Sequence, residues 1–358
     1  MSDDKLNRYD AEQMQQWATA CISATGASDE VAAALSAGLV AGDLLGFKTH
    51  GLLRLRYNLQ CLSEGKSRKA GQPEVLQQRP AIELWDANLL PGPYAMNLAV
   101  QRAIKLAQQQ GTGTIVMRRA QHIAALAIYL EQAIDQDLLI QIFAATPSQQ
   151  VVAPFGAKTA VFSPNPFAIG APAVDTKVMF DISLSMTAAG KIRTAIAEGR
   201  ELPYPALITP EGDYTVDAKS FIASPAAVIA SLGGEQLGYK GTGLNLFSEL
   251  WTLALSQYGR ADAPAAEGDA NSVWIQVIDP SALGDIGNFK QQVQAQLEAI
   301  QTATPITPEQ LVRVPGQGAM QRRAEQLANG ISYSAAIIKQ LEWCAQQYQV
   351  ALPAPLGG

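Results

Sequence analysis

The chain has only two histidines, His50 and His122, so imidazole acid–base chemistry rests on one or both of them. His50 sits in the run Thr49-His50-Gly51-Leu52-Leu53-Arg54. A helix starting near Gly51 would carry Arg54 about one turn from His50, on the same side. An imidazole that gives a proton beside a guanidinium that grips a carboxylate through two parallel hydrogen bonds suits reduction of a 2-oxo or 2-imino acid. A helix-capping histidine and a surface arginine would show the same spacing, so this run alone leaves both readings open.

His122 is expected to open a helix after a strand ending at Arg118. Such turns are where α/β proteins bind ligands and where helix-terminal amides favour phosphate. The run Gly233–Gly243 carries one lysine, Lys240, ahead of an expected helix over 244–258. Read as a loop, it would form an anion nest, or simply a flexible connection. It matches neither GxGxxG nor GxxxxGK[ST], and GxGxxG occurs nowhere in the sequence. Asp181 ends the apolar stretch Val178-Met179-Phe180, where a carboxylate could meet ribose hydroxyls, orient a histidine or cap a helix. Lys191 follows on the next helix. Pro315-Gly316-Gln317-Gly318, followed by Gln321-Arg322-Arg323, offers either amides and cations to a phosphate or an ordinary turn and cap.

The elements that must position these residues fall into two textures. The first 65 residues read as helices: one capped by Asp10 and ended by Gly26, one capped by Ser28, one following Gly51. Short extended stretches appear near Val75–Leu76 and Ile82–Trp85. From Pro91 onward helices and strands alternate, with Leu138–Ala144 apolar enough to be a strand buried on both faces. That alternation predicts an α/β layer. The last 50 residues are helical again, so the chain is read as a discontinuous helical subdomain (1–88 and 305–358) around an α/β cofactor-binding domain (89–304).

Composition narrows the classes. Of 358 residues 48% are hydrophobic and 16% charged, too apolar for disorder. The formal charge of −6 and scattered cations argue against nucleic acid as a partner. No apolar run approaches a membrane span, and the N-terminus is too polar and acidic for a signal peptide. Three distant cysteines without CxxC suit a reducing cytoplasm, and two histidines exclude a His-rich metal site; no metal is expected.

Several motifs stand in a familiar order over roughly residues 40–330: GDLLGFKTHGLLR, AQHIAALA, VAPFG, SPNPFAIGAP, FDISLS with AAGK, LGGEQLGYKGTGL and VPGQG. This succession resembles the malate/L-lactate dehydrogenase-like (type 2) family. The resemblance implies an α/β fold with a non-Rossmann NAD(P)-binding sheet domain of the L-sulfolactate/malate dehydrogenase-like type, in keeping with the missing GxGxxG. It implies an oxidoreductase using NAD or NADP, in the reduced form, on C2=O or C2=N of a small 2-oxo acid or cyclic 2-imino acid. Family members are usually homodimers with sites near the subunit interface.

Carried over residue by residue, the resemblance makes His50 the proton donor with Thr49 beside it, and Arg54 the carboxylate ligand. Ala189, Gly190 and Lys191 match the substrate-side turn, with Lys191 where cyclic-imine reductases tend to carry an acid supporting the histidine. Thr146 and Pro164 fall in substrate-side segments. His122, Ile123, Ala124, Ala125 and Leu126, then Asp181, Ile182 and Ser183, then Tyr239 and Lys240, then Gly316, Gln317 and Gly318 match cofactor-contacting segments. In some members the equivalent of His122 is itself the acid or base. The sequence departs from the family at Leu45, at Gln121, Ile123 and Ala124 around His122, at Ser163-Pro164, and at Ile182-Ser183-Leu184. Two alternatives follow: a degenerate member serving as a dimeric nucleotide-binding or scaffold protein, and an enzyme oxidising a 2-hydroxy acid such as malate, lactate or ureidoglycolate.

Overall fold

The fold is that of a computed structural model, which describes residues 7–261 and 268–357. After a short strand, β1 (Asn7–Tyr9), the Asp10 side chain accepts from the Gln13 amide and starts α1 (Ala11–Ser23); Ser28 does the same through Val31 for α2 (Asp29–Leu44). Met14, Trp17 and Cys21 on α1, and Val31, Leu35 and Leu39 on α2, are buried at helical spacing. Two 3₁₀ turns, Lys48–His50 and Leu52–Arg54, lead into α3 (Leu55–Ser63).

The central elements are β2 (Glu74–Arg79), β3 (Ile82–Asp86), α4 (Gly92–Gln110), β4 (Thr112–Ala120), α5 (Ala127–Ile134), β5 (Leu139–Ala145), β6 (Val152–Ala153), β7 (Phe167–Pro172) and β8 (Lys177–Ile182). They continue as α6 (Ala189–Ala197), β9 (Leu207–Ile208), β10 (Tyr214–Thr215), β11 (Val228–Ala230), α7 (Gly234–Glu249) and β12 (Asn271–Ile278). The chain ends through α8 (Ile286–Gln301), α9 (Gln317–Asn329), β13 (Ile331–Tyr333) and α10 (Ala335–Tyr348).

Seven strands pair in the order β2-β3-β4-β12-β5-β7-β8, and only β3 and β4 run parallel. Side-chain alternation along β12 sends Val273, Ile275 and Val277 into the main core with α4, and Trp274 to the other face with Val116 and Phe143. The chain ends meet: β1 pairs antiparallel with β13, while α10 packs on α1 and α3.

Three features differ from the sequence reading. Residues 74–86, placed by sequence in the helical portion, pair into the large sheet, because β2 and β3 form a hairpin whose second strand lies along β4. A separate four-stranded sheet, β10-β9-β11-β6, has its own core of Val152, Ile192, Leu207 and Ile229. The run Gly233–Gly243 is not a loop. From Gly234 onward it lies within α7, which passes into a π turn at Leu250–Ala254.

The α7 glycines serve close approach. A Cβ on Gly241 would overlap the Leu232 backbone, and one on Gly238 would press on the Phe155 ring at 3.0 Å. Gly243, also helical, would meet nothing within 4 Å. Gly241→Ala is therefore expected to destabilise the protein by about 1–3 kcal/mol, and Gly243→Ala to stabilise it by about 0.5–1 kcal/mol. Chemical denaturation of the two variants checks this; equal effects would contradict the packing.

Candidate active site

The His50 turn is built on a buried carboxylate. Asp43, near the end of α2, accepts at Oδ2 from the Leu52 amide and from the Tyr333 hydroxyl, both at 2.9 Å. Gly51 lies so close that a Cβ would overlap this carboxylate. The next cation, Lys48, donates to Gln326 Oε1 at 2.8 Å and Ser332 O at 2.9 Å, with its ammonium 4.9 Å from the Tyr333 ring centroid. Burial pushes the Asp43 carboxyl up to about 6, against the pull of Lys48 and these hydrogen bonds. Thus α9 and β13, from the far end of the chain, clamp the turn that presents His50.

His122 arrives from the sheet. It does not open a helix: β4 ends at Ala120, an irregular segment runs through His122, and α5 starts at Ala127. Ala124 in that segment has φ 57°, a left-handed conformation that a regular helix excludes. The Tyr129 hydroxyl donates to Ile123 O at 2.7 Å, and the Ala127 amide to Asp181 Oδ2 at 2.8 Å. Gly92 packs against this segment with no room for a Cβ.

The two turns bring the imidazoles together. Their centroids are 5.8 Å apart and their planes 14° from parallel. His122 is buried at 6% exposure, and His50 is half-buried. His50 Nδ1, both His122 ring nitrogens and Arg54 Nε are buried without a hydrogen-bond partner among the described residues. Buried polar atoms are normally satisfied, so a cluster of four unsatisfied ones fits a polar ligand. The Arg54 guanidinium lies 4.7 Å from the Tyr57 ring centroid and 3.6 Å from Asp269 Oδ2. Burial, and then the Arg54 charge, push His50 down to about 4. Burial, Arg54 and His50 together push His122 well below the usual imidazole range. Both rings are therefore neutral near neutral pH.

The other expected residues fall into three groups. Beside His50, a Cβ on Gly190 would come within 2.6 Å of Thr49 Cγ2, so the start of α6 (Ala189, Gly190) abuts the His50 turn, while Lys191 is exposed. Thr146 donates to Asn271 Oδ1 at 2.7 Å, and Pro164 O accepts from the Leu184 amide at 3.0 Å.

The second group gathers at the end of β8. Asp181 bonds the start of α5, beside Leu126 and Ala127, and burial lifts its carboxyl to about 6. Gly316 (φ 90°) lies against the Met179 backbone, where a Cβ would come 2.9 Å from the carbonyl oxygen. The segments 122–126, 181–183 and 316–318 are thereby brought together. The orphaned imidazole nitrogens beside these segments fit a polar ligand such as a nicotinamide dinucleotide. Tyr239 and Lys240 form the third group. They stand exposed on α7, Tyr239 edge-on to Phe155 with centroids 6.1 Å apart.

Sequence reasoning missed Asp43, Tyr57 and Asp269. Tyr57 lies three residues beyond Arg54 at helical spacing, which could have marked it. Asp269 is remote in sequence and carries no local signal.

The sequence pattern of the malate/L-lactate dehydrogenase family matches residues 9–342. L-sulfolactate dehydrogenase of Methanothermobacter thermautotrophicus is 25% identical over 317 residues, 87% of this chain and 88% of that one. Δ1-pyrroline-2-carboxylate reductase of Ancylobacter novellus is 28% identical over 329 residues, 89% and 92% of the two chains. The crystal structure of malate dehydrogenase from Entamoeba histolytica superposes with a TM-score of 0.92 at 18% identity, covering 98% of this chain and 100% of that one; the expected α/β fold is the shared one. With this pattern running through nearly its whole length, the chain belongs to the malate/L-lactate dehydrogenase family of oxidoreductases.

Proposed function

We propose that this protein interconverts a small 2-oxo or cyclic 2-imino carboxylate with its C2-reduced form, using NAD(H) or NADP(H). The observation that carries this reading is the stacked pair of neutral imidazoles, with unsatisfied nitrogens, beside the half-free guanidinium of Arg54. When bound, the reduced nicotinamide supplies hydride to C2. His122–Leu126, Asp181–Ser183 and Gly316–Gly318 would hold the dinucleotide, with Tyr239 and Lys240 proposed to reach it from the α7 face.

Arg54 binds the substrate carboxylate, as a planar fork suits. Its charge is, after burial, the second cause that depresses His50, and a bound carboxylate offsets that charge. Substrate binding is therefore expected to move the His50 pKa upward, toward holding the proton that the reduced oxygen or nitrogen requires. Thr49, wedged against Gly190, fixes the turn. Sulfolactate, malate and pyrroline-2-carboxylate, named in the relatives above, all carry a carboxylate on the reacting carbon.

The neutral state of both imidazoles also favours the opposite direction, in which a neutral ring accepts the hydroxyl proton of a 2-hydroxy acid. A homodimer is proposed as well: Leu237, Tyr239, Leu244, Leu246, Phe247 and Leu250 leave α7 and its extension broadly apolar and exposed. Among the described residues no helix is long and apolar enough to cross a membrane. Three buried unpaired thiols support a reducing cytoplasm.

His50→Ala is expected to lower turnover by roughly 10²–10⁴-fold while NADH or NADPH fluorescence still reports binding; unchanged turnover would remove the mechanism. With only two histidines, their ring-proton NMR signals report each pKa directly. In the ligand-free protein His50 is expected to titrate at about 4, and in Arg54→Gln to move upward. A His50 that titrates at the unperturbed value of about 6.5 in both proteins would contradict the electrostatics.

A further inference from the structure

Asp269 has no part in the mechanism above, yet it stands inside the site. Its side chain is only 12% exposed and lies 3.6 Å from the Arg54 guanidinium. Two segments hold it. Gln149 Nε2 donates to Oδ1 at 3.3 Å, and the Asp269 amide donates to Gln121 Oε1 at 3.2 Å. At 3.6 Å the guanidinium is too far for a hydrogen bond, and well beyond the 2.7–2.9 Å of a closed ion pair. Arg54 and Asp269 are thus neighbours of opposite charge, each with bonding capacity unused toward the other.

A protonated cyclic 2-imino acid has the matching pattern, since its carboxylate and its N–H⁺ are both attached to C2. We propose that Asp269 is a specificity-determining residue, which accepts a hydrogen bond from the positively charged ring nitrogen of a cyclic 2-imino acid while Arg54 takes the carboxylate. This rests on the Arg54 carboxylate site proposed above and deepens it by choosing among substrates. A second carboxylate, as in a 2-oxo dicarboxylate, would instead meet the Asp269 charge.

The chemistry balances without an acid at the hydride step. The iminium nitrogen already carries its proton. As hydride from the reduced nicotinamide forms the C2–H bond, the C=N π pair moves onto nitrogen and gives a neutral secondary amine. That amine takes a proton afterwards, from His50 or from water, and leaves as an ammonium carboxylate.

Calorimetric titration with two isosteric acids isolates the nitrogen. L-proline carries N–H₂⁺ where tetrahydrofuran-2-carboxylate carries an ether oxygen. The wild-type protein, with NAD⁺ or NADP⁺ present, is expected to bind proline about tenfold or more tightly than the ether acid or L-malate, a charge-assisted hydrogen bond's worth. In Asp269→Asn the proline preference is expected to vanish. Equal or weaker binding of proline by the wild type, or a preference that survives in Asp269→Asn, overturns the proposal. The wild-type ratio needs no substitution, so a variant that fails to fold leaves the decision intact. Should none of the three acids bind, the Arg54 carboxylate site itself fails, and the role of Asp269 falls with it; ether-acid binding lost in Arg54→Met with no proline preference in the wild type sinks Asp269 alone.

Discussion

Two imidazoles lie stacked with their ring nitrogens unsatisfied, in the field of a guanidinium that is itself only loosely paired. The turns and helix ends around the pair maintain that arrangement. Left to relax, either ring would turn to find a hydrogen-bond partner or water, because an unsatisfied buried polar group costs about 1–3 kcal/mol. The site keeps the rings in place by fixing the backbone on both sides of them.

The fixing is long-range. The His50 turn closes on Asp43, and the groups that complete that closure, Tyr333 and Gln326 with its Lys48 partner, come from the last thirty-odd residues. The His122 segment is pinned by Tyr129, by Asp181 from β8 and by the Gly92 backbone. The turn after α2 therefore supplies one imidazole and the segment after β4 the other. Their stacking depends on the contact of α2 with α4 and α5.

Much of the site was legible because its strongest signals are local. His50 and Arg54 fall within one short run, and the two-histidine count left few other players. The strands β5, β8 and β12 were legible as apolar runs. The glycines of α7 misled because glycine reports only that a side chain is unwelcome. In a loop the cause is backbone conformation; at Gly241 it is the Leu232 backbone alongside. Residues 74–86 look like isolated extended pieces until β4 is in place to pair with them. Asp269 could not be found at all, since what distinguishes it is a guanidinium brought near by folding.

In the proposed mechanism a carboxylate on Arg54 draws a proton onto His50. Calorimetry of pyruvate binding at about pH 6, with oxidised dinucleotide present and in two buffers of different ionisation heat, measures this directly. Net proton uptake is expected for the wild-type protein and none for Arg54→Gln. Binding of pyruvate to the wild type with no proton taken up would contradict it.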